Sequence, residues 1–178
     1  MPGLELRPGP DEYAEHYHRY VQLVPDGHIV GTLEMQLEEA VEFLHGPAAA
    51  CADFAYAPGK WTVKQVIGHV ADAELIFMAR ALRMARADRT PLPSFDENAY
   101  VENANFPERQ YHGLVDDFAA LRHASVRFFR GLAPEAWTRR GIASGHEISV
   151  RALAWIIAGH ELHHRRIIQE RYLTPGQG

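Results

Sequence analysis

At 178 residues and 20.1 kDa the chain has room for one domain and is large enough to bury a core without disulfides or a structural metal. A net charge of −5 and a pI near 6.1 remove the positive excess on which nucleic-acid binding draws, and no nucleic-acid partner is expected. The single cysteine, Cys51, excludes an internal disulfide, a CxxC pair and a thiolate zinc site.

The first 25 residues hold Pro2, Pro8, Pro10 and Pro25 around a polar-aromatic stretch, which reads as an N-terminal arm with a short helix capped by Asp11. No apolar leader run is visible there, and the longest apolar run, Ala152 to Ala158, is far below the roughly 20 residues that span a bilayer. A soluble, cytoplasmic protein with no membrane association is therefore expected.

From Asp26 to His45 the apolar residues Ile29, Leu33, Leu37, Val41 and Leu44 recur at the spacing of one helix face, and Gly46-Pro47 ends the run. A second helix is predicted from Thr62, as N-cap, to Ala87, with Val63, Val66, Ile67, Val70, Phe77, Ala81 and Ala85 turned inward. Pro91 and Pro93 break it. Residues 95–111 read as loop with one helical turn near Asp96–Val101. A third helix spans Leu114 to Leu132, and a connector, Glu135 to Ile148, follows. A fourth runs from Ser149, as N-cap, to about Tyr172, and residues 174–178 form a polar tail. No strand and no internal repeat is predicted. The expected fold is all-α: a four-helix bundle over residues 26–173, in which two connectors too long for tight turns imply crossover connections.

Histidine is the unusual residue, with 11 copies. His160 and His164 stand at i and i+4 on the fourth helix, so their rings project from one face, one turn apart, as two ligands of one ion require. His164 lies on the apolar line Leu153–Ile157–Ile168 and His160 beside it, where an imidazole costs stability unless its nitrogens find partners. His69 sits on the inward side of the second helix, and facing helices that both turn histidine inward are how bundles build metal sites. Three imidazoles with a position left open form the ligand set of a catalytic site, able to lower the pKa of a water or to hold a thiol as thiolate. Nitrogen ligands suit zinc, nickel, iron or copper.

Asp72, one turn after His69, is the candidate to orient that ring's second nitrogen. Glu74 and Glu161 read as solvent-facing helix charges. His163 points about 100° away from His164, and the remaining histidines (16, 18, 28, 45, 112, 123 and 146) read as surface residues. Arg80, Arg83, Arg86 and Arg89 recur every third residue and read as a solvated outer face, with an anion-receiving patch as the alternative. Trp61, Trp137 and Trp155 read as packing residues.

The segments Trp61-Thr-Val-Lys-Gln-Val-Ile-Gly-His69-Val-Ala-Asp72, Phe95-Asp-Glu-Asn-Ala-Tyr100 and Gly159-His160-Glu-Leu-His-His164-Arg-Arg-Ile-Ile168 together resemble the DinB-like family of metal-binding four-helix proteins. The resemblance covers residues 26–173. It implies one divalent ion, zinc or nickel, on His69, His160 and His164. Characterised relatives in that family include bacillithiol S-transferases and mycothiol-dependent isomerases, and others are described as metal-dependent hydrolases. The expected activity is thiol S-transfer on a small-molecule substrate, with a low-molecular-weight thiol as cosubstrate. Metal-dependent hydrolysis and a non-catalytic, metal-binding stress-response role are the alternatives, and a homodimer is one of the assemblies left open.

Overall fold

The structure is a computed structural model and describes residues 6–173; the predicted tail at 174–178 lies outside them. Four long helices form the body: α2 (Ile29–His45), α3 (Val63–Ala85), α5 (Tyr111–Arg130) and α6 (Val150–Ile167). Two short helices, α1 (His18–Val21) and α4 (Glu97–Asn103), precede α2 and α5, and a hairpin of β1 (Arg140–Ala143) and β2 (His146–Ser149) precedes α6. The predicted helix limits differ from these by a few residues, except at the end of α6, where Ile168–Tyr172 form a π-helical turn.

Local chemistry sets the helix starts. Thr62 caps α3 in a reciprocal box with Gln65, Asp96 accepts from the backbone N–H groups of Asn98 and Ala99, and Ser149 Oγ accepts from Ala152 N. Each long helix buries one stripe. α5 packs against α2 and α3, and α6 packs against α3 and α2. The consecutive helices α2 and α3 thus lie across the bundle from one another, as do α5 and α6. Both connections between these pairs cross the bundle end, which is the crossover topology expected from their length. The arrangement makes α3 and α6 neighbours although 64 residues separate the end of one from the start of the other.

Two features differ from the sequence reading. The segment Glu135–Ile148, read as plain connector, contains an antiparallel hairpin in which Ala143 pairs with His146 across a two-residue loop. Ser144 and Gly145 both take positive φ, 53° and 80°, the turn whose twist matches the paired strands. Leu92 bonds to both sides of this turn, from its N–H to Ile142 O and from its carbonyl to Ser144 N–H. The N-terminal arm is packed rather than extended. Tyr13, Tyr20, Val21 and Val24 join the core cluster around Leu153, Trp155 and Ile157 of α6. Arg7 donates to Val21 O and Val24 O and lies over the Trp155 ring. No helix among the described residues is long and apolar enough to cross a membrane.

Candidate metal centre

His69 projects from the middle of α3 and His160 and His164 from successive turns of α6. The helix-face argument brings these rings to one point, and the structure does so: His160 Nε2 is 3.2 Å from His69 Nε2 and 3.2 Å from His164 Nε2. One ligand atom from each ring lies within 4.8 Å of the others. Two imidazoles on a tetrahedral ion, each at a metal–nitrogen distance of 2.0–2.1 Å, are held about 3.3 Å apart. The three nitrogens therefore fit one ion at their centre. A neutral ring offers a single N–H or a single lone pair at Nε2, so the rings cannot satisfy one another fully by hydrogen bonding, whereas a shared cation satisfies all three.

Burial keeps the rings ready for that role. His69 and His160 are buried. Desolvation lowers His69 to about 4 and holds His160 and His164 well below the ordinary imidazole value, with the neighbouring rings adding to it. At neutral pH all three are unprotonated, the form in which imidazole donates a lone pair.

Close backbone approach frames the cluster. Gly159 precedes His160, and a Cβ at that position would collide with the Tyr20 carbonyl, so glycine is what lets α1 cross α6 there. The crossing lays the Tyr20 ring edge-on to His160, with centroids 5.3 Å apart. Gly68 precedes His69, and a Cβ there would meet the Phe106 ring. Trp61, read as a packing residue, also flanks His69, ring to ring at 4.9 Å.

The centre opens on one side into a cavity of about 280 Å³. Tyr17, Tyr20, Phe77 and Phe95 supply aromatic wall, and Arg19 and Glu97 supply charge of opposite sign. Glu97 Oε2 stands 4.0 Å from His69 Nε2, and its side chain is half exposed. Sequence reading did not single out Glu97. The signal available was Asp96 as the cap of a helix in the segment Phe95–Tyr100, which places Glu97 on the first turn.

Asp72, the group expected to orient His69, stands three residues beyond it on α3. It lines a separate cavity with Phe106, Arg109 and Asp117, and the carboxylate that approaches His69 belongs to Glu97. A step of three residues rotates a helix position by about 60° from the starting line, enough to carry Asp72 over the shoulder of α3. Burial raises its carboxyl above the ordinary aspartate value.

Glu74 and Glu161 are not solvent-facing. Both are buried. Glu74 receives Arg122 Nε at 2.8 Å and Nη2 at 3.0 Å, together with the Ser125 hydroxyl at 2.7 Å. Glu161 Oε1 pairs with Arg165 Nε at 3.1 Å, and burial pushes its carboxyl up to about 7 against the pull of Arg122 and Arg165. The arginine stripe also divides. Arg80 is buried and donates to Pro93 O and Ser144 Oγ, fastening the cavity lip, while Arg83 pairs with Asp88.

A model of the DinB superfamily matches residues 32–168. The chain belongs to the DinB superfamily. Among solved structures it is similar to YfiT from Bacillus subtilis, described as a probable metal-dependent hydrolase with an unusual four-helix bundle topology. Identity is 22%, the match covers 92% of this chain and 89% of that one, and the TM-score is 0.67, so the likeness is one of fold. No curated protein sequence matches the chain. The DinB-like bundle thus carries here three histidines positioned so that they could hold one metal ion.

Proposed function

We propose that this DinB-superfamily protein is a metal-dependent hydrolase of a small molecule, with His69, His160 and His164 holding one divalent ion and Glu97 serving as proton acceptor. The observation that carries the reading is the carboxylate oxygen 4.0 Å from His69 Nε2, on the wall of a cavity that His69 and His160 also line. A divalent ion supplies a Lewis acid that polarises a substrate oxygen and makes water a better nucleophile. Zinc and nickel both suit a three-nitrogen set.

The residues of the chain do the rest. The rings arrive deprotonated because burial favours their neutral form. Glu97, on the first turn of α4, takes the proton released as a nucleophile forms. Tyr17, Phe77 and Phe95 give a substrate an apolar wall, and Ser94 and Ser144 offer hydroxyls at the lip. The similar structure, described as a probable metal-dependent hydrolase, supports the same reaction class.

Thiol S-transfer uses the same three nitrogens and differs in what Glu97 must do, because a thiol bound to the ion is already acidic enough to ionise unaided. The zinc-loaded protein is expected to turn over members of a panel of small esters, lactones and amides with no thiol present. Glu97→Gln is expected to lower kcat by about 10²-fold or more with zinc content unchanged. Turnover that appears only when a millimolar thiol is added, with Glu97→Gln fully active, would replace hydrolysis by thiol transfer. A thiol-dependent change in the absorption of the cobalt-substituted protein would mark that outcome directly.

A further inference from the structure

A second cavity is lined by His164 of the metal centre and shares no lining residue with the substrate cavity. Phe43 of α2, Val70 of α3 and Phe118 of α5 give it apolar walls, and three polar residues of α6 reach it: Glu161, His164 and Arg165. The space that a water can occupy is about 30 Å³. A single water needs at least about 10–15 Å³ of such space, so the cavity has room for a water.

Glu161 Oε2 is buried and, among the described residues, is the buried side-chain oxygen or nitrogen without a hydrogen-bond partner. Its twin, Oε1, is tied to Arg165 Nε, and Arg165 is tied in turn to Glu39 at 3.1 Å, so the carboxyl group is anchored in place. A buried acceptor left unpaired costs stability, which a donor in the adjoining space would recover. On the same wall, His164 turns its Nε2 toward the other two rings. A histidine that ligates through Nε2 carries its hydrogen on Nδ1, and ligating histidines donate that hydrogen to a carboxylate, a carbonyl or a water.

We propose that Glu161 is a positioning residue of the metal centre, acting on His164 through one water held in the cavity that both residues line. The water accepts from the ring N–H and donates to Glu161 Oε2, which leaves neither group unpaired. Through it the anchored carboxyl group fixes the ring's orientation and tautomer and raises its basicity toward the ion. The inference rests on the reading that the three histidines bind a metal, and it adds a role for a carboxylate that is not part of the substrate-cavity lining.

The test compares Glu161→Leu and Glu161→Gln with the natural protein, using zinc as the probe and a competing chromophoric chelator to read affinity. Glu161→Leu is expected to bind zinc about 10–100-fold more weakly, with a Tm no lower than that of the metal-free natural protein. Glu161→Gln retains an acceptor oxygen and is expected to stay within a few-fold of natural affinity. A Leu variant that binds zinc as tightly as the natural protein would overturn the proposal while leaving the histidine site intact. Failure of the natural protein itself to bind zinc would instead remove the reading beneath it. Should the Leu variant not fold, a high-resolution crystal structure of the zinc-loaded natural protein decides: a water between Glu161 and His164 supports the role, and a dry cavity rejects it.

Discussion

Arg122 is a fully buried guanidinium, and its position inside the bundle is tolerable only because its charge is matched on the spot. Glu74 takes both of its forward nitrogens, Gln36 Oε1 lies 3.3 Å from Nη1, and Phe118 stacks beneath it at 5.3 Å. Removing one partner strands the other in a medium that cannot solvate it. Arg122→Ala is expected to lower stability by about 3–5 kcal/mol in chemical denaturation, whereas an apolar double replacement of Arg122 and Glu74 is expected to cost far less. Equal losses in the single and double variants would contradict the pairing. This network also marks where residue-level reading of the sequence stops. His69, His160 and His164 were legible because they lie on or beside the inward stripes of two helices, where an imidazole costs stability unless its nitrogens find partners. Glu74 and Glu161 were misread because a carboxylate on a helix is assigned to solvent by default, and the donors that pair with Glu74, Arg122 and Ser125, come from α5, 48 and 51 residues away. Arg80 was misread for the same reason: its acceptors, Pro93 O and Ser144 Oγ, lie in two separate loops.

The N-terminal segment is the element whose role changed most between sequence and structure. Four prolines around a polar-aromatic stretch describe an arm, yet its buried charge clamps it to the bundle. Glu12 accepts from Gly9 N–H, from Ser149 Oγ at 2.8 Å and from Arg151, joining the segment to the start of α6. Burial pushes the Glu12 carboxyl up, but these donors outweigh it and hold it below the ordinary glutamate value. A carboxyl whose folded value is depressed contributes its full stability above its unfolded value and loses it as pH falls through the folded one. The urea midpoint of the natural protein is therefore expected to fall on acidification below about pH 4.5. Glu12→Gln is expected to start about 1–3 kcal/mol lower at neutral pH and to show a shallower acid limb. Parallel acid limbs would show that the clamp contributes nothing. The hairpin is the complementary miss. Arg140–Ala143 and His146–Ser149 are four residues each, too short for alternation to stand out, and the Ser144-Gly145 turn was the one local signal that they pair. The long helices were legible because their apolar stripes run for four or more turns and their caps, Thr62 and Ser149, stand where the stripes begin.

At the scale of the whole molecule, the site exists because two crossover connections place α3 beside α6. Connector length implied crossovers, but length alone does not say which helices become neighbours; the contacts of α6 with both α3 and α2 settle that. Once α3 and α6 are adjacent, Gly68 and Gly159 admit the Phe106 ring and the α1 backbone on either flank, and the rings of His69, His160 and His164 are left to meet. The account therefore stands or falls on what those rings hold. Metal analysis of the purified protein after zinc loading and removal of excess is the direct test. One equivalent per chain is expected, falling to near zero in His160→Ala and unchanged in Asp72→Asn, whose side chain lines a different cavity. Full metal content in His160→Ala, or none in the natural protein, would contradict the account.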